Sequence, residues 1–226
     1  MATDFQRFDI NPQQKKYVLV LASEPEVTQR KQSIQLAINT FKQLDYEQIH
    51  LVSPHQANKA KNWDNSKSSI VSCLENISKK IKPEDLLTLY LTTIGYQKSA
   101  QETFMWFKDG KLTSEALGQL VNNYIPETNR LIISDVCFGY DMMIPLLSNE
   151  GDIGISAASQ GKTSWKTRFQ DEFFPELKLS KNSFNAFKFA YHFGFNQDEN
   201  KQSAQFLELS RQGLQNLTVP PSQHYS

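Results

Sequence analysis

The sequence predicts an α/β fold with a mainly parallel sheet and helices on both faces. Two observations carry that expectation. Strand-sized apolar runs alternate with segments of helical periodicity along the chain. Each run is apolar throughout, as strands buried on both faces are, instead of apolar at every second residue. A chain of 226 residues suits one domain over 1–226, with a core over about 17–196, a C-terminal helix over about 200–216 and a frayed tail to 226.

The elements follow in order. Tyr17-Val18-Leu19-Val20-Leu21-Ala22 is a continuous apolar run with β-branched residues, hence a first strand. A helical pattern through Ile34, Leu36, Ala37, Ile38 and Phe41 comes next. Ile49-His50-Leu51-Val52-Ser53 is a second strand ended by Pro54-His55, and residues 54–68 are polar, as expected of a surface excursion. Ile70, Val71, Leu74, Ile77 and Ile81 recur at helical spacing until Pro83-Glu84-Asp85 stops them. Leu86 to Thr93 is a third strand. Phe104-Met105-Trp106-Phe107 with the turn Lys108-Asp109-Gly110-Lys111 predicts a hairpin. A helix follows with Leu117, Leu120 and Val121 on its apolar face. The fourth strand begins after the turn Pro126-Glu127-Thr128-Asn129 and ends at Cys137, and Ile153 to Ala158 is a short fifth. Two helical patterns close the chain, Ser183 to Tyr191 and Ala204 to Leu214, the second running through Phe206, Leu207 and Leu209. The aromatic residues Phe173, Phe174, Phe184, Phe187, Phe189, Tyr191, Phe193 and Phe195 fall at spacings typical of core.

Composition excludes several classes of function. Lys plus Arg and Asp plus Glu are 24 each, so no global field attracts nucleic acid or an anionic membrane surface. The longest apolar runs are too short to span a bilayer. Residues 1–16 lack the pattern of a signal peptide. Cytoplasmic residence is therefore expected, although an export route read from the C-terminus or a folded surface would leave no trace in composition. Cys73 and Cys137 have no metal-ligand spacing, the four histidines are scattered, and no glycine-rich strand-to-helix turn is present. The expectation is no metal and no cofactor.

In a parallel sheet the loops after each strand gather on one edge, where ligands bind. Here that edge collects Arg30, Pro54-His55, Thr93-Ile94-Gly95, Cys137-Phe138-Gly139 and Ala158-Ser159-Gln160. A cysteine at the end of an apolar strand, before a helix, can serve as an exposed nucleophile, and it can equally be a small buried apolar residue.

The ordered set of segments resembles the legumain-type, caspase-like cysteine peptidases. The pieces are Arg30-Lys31-Gln32, the run Lys82 to Gly95, Asp109-Gly110-Lys111-Leu112-Thr113, Ser134-Asp135-Val136-Cys137-Phe138-Gly139, and Ile155-Ser156-Ala157-Ala158-Ser159 with Thr163-Ser164-Trp165. The resemblance implies a caspase-like three-layer sandwich. It puts Cys137 at the nucleophile position, Gly95 at an oxyanion-hole amide, Arg30 at the pocket arginine, and Phe138 and Ser159 beside the substrate. It also implies two departures. Ile94 stands where the family has its general-base histidine, and Phe138 replaces an acidic residue of the asparagine-binding pocket. An isoleucine neither takes nor gives a proton, so the expectation is a catalytically impaired peptidase homologue that binds a peptide or protein at the former cleft or forms an oligomer contact. The alternative is an active cysteine peptidase with a base from outside the family pattern. His55 is the one histidine on a loop at that edge, since His50 lies in a strand, His192 in a helical aromatic cluster and His224 in the tail. A third reading is likeness of fold alone, in an unrelated α/β binding protein.

Overall fold

The computed structural model of the chain describes residues 9–23, 28–99, 102–161, 168–195, 204–210 and 212–217, with backbone alone at 28–30, 168 and 192–195. In order come β1 (Lys16–Leu21), α1 (Thr28–Gln43), β2 (Gln48–Val52), β3 (Lys61–Trp63), α2 (Lys67–Ser78) and β4 (Leu86–Leu91). A small sheet follows, formed by β5 (Tyr96–Ser99), β6 (Glu102–Phe107) and β7 (Gly110–Thr113). Next are α3 (Ser114–Tyr124), β8 (Asn129–Ser134), α4 (Gly139–Met143) and β9 (Ile153–Ser156). The described chain ends with α5 (Arg168–Ser180), α6 (Ser183–Phe195), β10 (Gln205–Ser210) and β11 (Gly213–Asn216).

The main sheet has eight strands in the order β11-β10-β9-β8-β4-β1-β2-β3. The six from β9 to β3 run parallel, and β10 and β11 add on antiparallel. Alternation along β1 explains why its whole run is apolar. Val18 and Val20 join a core with α1, α5 and α6 on one face, while Tyr17, Leu19 and Leu21 join a second core with α2, α3 and the β6–β7 hairpin on the other. Phe173, Phe174, Phe184 and Phe187 are buried in the first core, as their spacing predicts, whereas Phe189 is exposed.

Caps and buried polar groups fix the joints. Ser66 caps α2 by accepting from the Ser69 amide, and Thr113 caps α3 by accepting from the Ala116 amide. Arg130 is fully buried, yet its guanidinium donates to Asn122 Oδ1 (2.6 Å) and to the carbonyls of Leu146 (2.9 Å) and Ile125 (2.8 Å). Asp152 accepts the amides of Arg130, Ser148 and Asn149, so the base of β8 is stapled to the turn before β9.

Three expectations need correction. The C-terminal helix over about 200–216 is instead the β10–β11 hairpin. Phe206 and Leu207, adjacent and therefore on opposite faces of a strand, are both buried, because β10 pairs with β9 and lies between the two cores. Residues 54–68 contain β3, held as an edge strand against β2. The strand before Cys137 ends at Ser134, three residues early. A further helix, α5, forms despite Pro175 because Phe169, Phe173, Phe174 and Leu177 pack its inner face.

His50 shows how β3 is held. The Trp63 indole donates to His50 Nδ1 (3.1 Å), which puts the imidazole proton on Nε2, where it faces Gln48 Oε1 at 3.1 Å. Burial, reinforced by Lys61 and Lys80, pushes the His50 pKa down to about 4 from its ordinary 6.5. The unfolded chain therefore takes up this proton first, and stability falls as pH drops from about 6.5 towards about 4. Urea titrations should lose up to about 3 kcal/mol over that window. In His50→Gln the slope over the same window should flatten.

Candidate functional site

The site lies where β1, β4 and β8 end side by side. Backbone bonds continue the ladder one step past the strands: Thr92 N to Leu21 O (2.9 Å), Asp135 N to Leu91 O (2.9 Å) and Ala157 N to Ser134 O (3.0 Å). Strand order reverses at β1, which has β2 on one side and β4 on the other, so the switch point of the sheet lies beyond the β1 and β4 ends. The hydroxyls of Ser23 and Thr93, the second residues past those ends, are hydrogen-bonded across it.

From Thr93 the chain passes through half-buried Ile94 to buried Gly95. A Cβ added at Gly95 would lie 1.9 Å from the Cys137 carbonyl oxygen and 3.5 Å from Val136 Cγ2. The loops after β4 and β8 therefore touch backbone to backbone, a contact that only glycine permits. Cys137 sits in the turn after β8, half-buried and in no disulfide. Phe138 follows in the left-handed region at φ 59°, ψ 31° and opens α4. That conformation costs a non-glycine residue roughly 1–2 kcal/mol, so the surrounding packing must impose it. Gly139 is the next wedge. A Cβ there would meet Ser156 Oγ at 2.7 Å and the Ser134 carbonyl at 2.9 Å, so α4 begins directly against the ends of β8 and β9.

The sequence-predicted residues divide into groups. Gly95 and Cys137 are in contact, with Ile94 and Phe138 next to them in the chain. Ser159 is half-buried, three residues beyond β9. Arg30 belongs to the first turn of α1, not to a preceding loop, and its side chain lies outside the described part. Residues 24–27 and 162–167, which include Thr163-Ser164-Trp165, lie outside the described residues, as do His224 and the His192 side chain. His50 is committed to Trp63 and Gln48. His55 lines a separate cavity.

That cavity, of about 740 Å³, was not legible in the sequence. It lies between the ends of β1 to β3 and the β6–β7 hairpin, walled by Ser23, His55, Trp63, Asn65, Trp106 and Lys108, and Cys137 is not in its described wall. Asn65 donates to the Ser23 carbonyl, which ties the cavity wall to the segment after β1. Asp64, at its mouth, is paired with Lys108 and accepts from Ser66 and Ser69. Together these donors hold its carboxyl well below the usual range. His55 Nε2 and Asn65 Oδ1 are buried with no hydrogen-bond partner among the described residues.

The Gly95 contact has a measurable consequence. Gly95→Ala must push backbone aside, and urea unfolding should show a loss of at least about 2 kcal/mol. Gly161→Ala, where an added Cβ meets nothing within 4 Å, should cost only the smaller backbone penalty of its φ of 65°.

The chain matches no protein-family model. It also matches no curated protein. Among solved structures it is similar to protein GSU0716 from Geobacter sulfurreducens, at 12% identity and TM-score 0.51, over 85% of this chain and 92% of that one. It is similar also to pro-sf-caspase-1, at 13% identity and TM-score 0.51, over 88% and 89% of the two chains. At such identity the likeness bears on fold alone. The architecture is a caspase-like α/β fold with a mainly parallel sheet.

Proposed function

We propose that the chain is a catalytically impaired homologue of caspase-like cysteine peptidases, legumain-type in its motifs, that acts by binding a peptide or protein at the cleft beside Cys137. One observation supports this above the rest: the loop in backbone contact with Cys137 carries isoleucine at 94. A thiol attack on an amide needs a group to take the thiol proton and return it to the leaving amine. The Ile94 side chain offers no such group. The Gly95 and Cys137 amides are our candidates for an oxyanion hole, which by itself stabilises charge without moving protons. Arg30, Phe138 and Ser159 are our candidates for ligand contacts. Phe138 would give an apolar wall, which disfavours an asparagine side chain.

A second reading, an active peptidase with His55 as base, draws support from Nε2 of that residue, which has no hydrogen-bond partner among the described residues. Against it stands the separate cavity that His55 lines.

A broad peptide library and a thiol-directed activity probe decide between the two. Wild-type protein should give no turnover above background. Removing the base of such a pair costs about 10⁶-fold, so Ile94→His should raise hydrolysis by at least about a hundredfold, and Ile94→His with Cys137→Ala should abolish the gain. Wild-type turnover that disappears in Cys137→Ala would overturn the impaired reading, and its further loss in His55→Ala would establish the second.

A further inference from the structure

We propose that the cleft beside Cys137 selects its ligand by a large apolar side chain, of the leucine or phenylalanine kind, and that Phe138 makes the selection. The inference rests on the binding reading above and adds to it the class of peptide bound.

The first observation is where the apolar side chains stand. Phe138 is half-buried, yet it belongs to neither hydrophobic core, nor to the part-buried apolar residues packed against them. Tyr140, two residues on, does pack against the second core. Ile94 is half-buried and outside both cores in the same way. Each is next in the chain to one partner of the Gly95–Cys137 contact. That junction therefore gathers, from two loops, two apolar residues that serve neither core.

The second is the conformation of Phe138. It holds φ 59°, ψ 31° between two close contacts, Gly95 on the Cys137 carbonyl and Gly139 on Ser134 and Ser156. Both contacts are made by glycines, so neither depends on the side chain at 138. Glycine or asparagine would adopt the left-handed turn at less cost than phenylalanine. The ring thus costs the turn something and joins neither core, which leaves contact with a ligand as the role that its apolar surface fits.

The third is charge. From Thr93 to Gly95 and from Val136 to Tyr140 the two loops carry no carboxylate and no cation. Of the flanking acids, Asp135 is buried and Asp141 accepts the Gly161 amide (2.8 Å). On these loops a charged ligand side chain finds no counter-charge when it loses water, whereas an apolar one gains from the same loss. Arg30, the other candidate contact, would favour an acid, so aspartate is the contrast.

The test is fluorescence anisotropy on the whole chain with fluorescein-labelled tetrapeptide pools. In each pool one position is held as Leu, Phe, Asn, Asp or Lys and the rest are mixed. At one position the Leu and Phe pools should bind at least about tenfold more tightly than the other three. Phe138→Gly should remove that preference. Phe138→Asn should do the same, and it carries the test if Phe138→Gly fails to fold, since asparagine also tolerates the turn. Phe138→Leu should keep the preference within about threefold. Trp106→Ala, at the separate cavity, should leave it unchanged. Binding without discrimination among the pools, or a preference that survives both Phe138 variants, would overturn this assignment alone. Binding lost in Trp106→Ala, or no binding by any pool, would overturn the binding reading with it.

Discussion

The site rests on one steric constraint, the approach of the loop after β4 to the loop after β8 with no side chain between them. At Gly95 the space a Cβ would need is taken by the Cys137 carbonyl. Two residues past Cys137 the same thing happens at Gly139, against Ser134 and Ser156. The Cys137 backbone is thus flanked by two close contacts, with the left-handed Phe138 lodged between them. Backbone contacts of this kind are stiff, since neither partner can rotate away as a side chain would.

The sheet supplies the rest of the positioning. Its parallel strands end in register, and the ladder bonds at Thr92, Asp135 and Ala157 extend that order to the first loop residues. The bond between Ser23 and Thr93 closes the gap at the point where strand order reverses, and Asn65 braces Ser23 from the other side. Ser23 therefore joins the end of β4 to the wall of the cavity lined by Trp106.

How far the sequence could be read follows from which forces set each part. Strands buried on both faces announced themselves, because no polar residue can interrupt a run such as Val18 to Leu21. β10 did not. Phe206, Leu207 and Leu209 fit a helical stripe as well as a strand, and pairing with β9 decided between them. α5 was hidden by Pro175, whose local cost the packing of Phe173, Phe174 and Leu177 overrides. β3 is too short and too polar to signal itself and depends on Trp63 reaching His50. At the site, the cysteine and its flanking glycines were legible as chemistry-bearing types at a strand end. The cavity was not, since Ser23, Asn65, Trp63 and Trp106 come from four separate segments that only tertiary contact unites.

The same constraint limits what Gly95, Cys137 and Gly139 can say about catalysis. Replacing either glycine would disturb the junction of three strands whether or not a reaction takes place there, so their presence is explained by packing alone. Position 94 is different. It carries a half-buried side chain, so it is the position at which the function proposed above can be tested apart from the glycine contacts. Of the imidazoles among the described residues, His50 is held neutral by burial and by Trp63, and His55 lines another cavity. On the function proposed above, an isoleucine at 94 leaves a cleft suited to holding a ligand rather than cutting it.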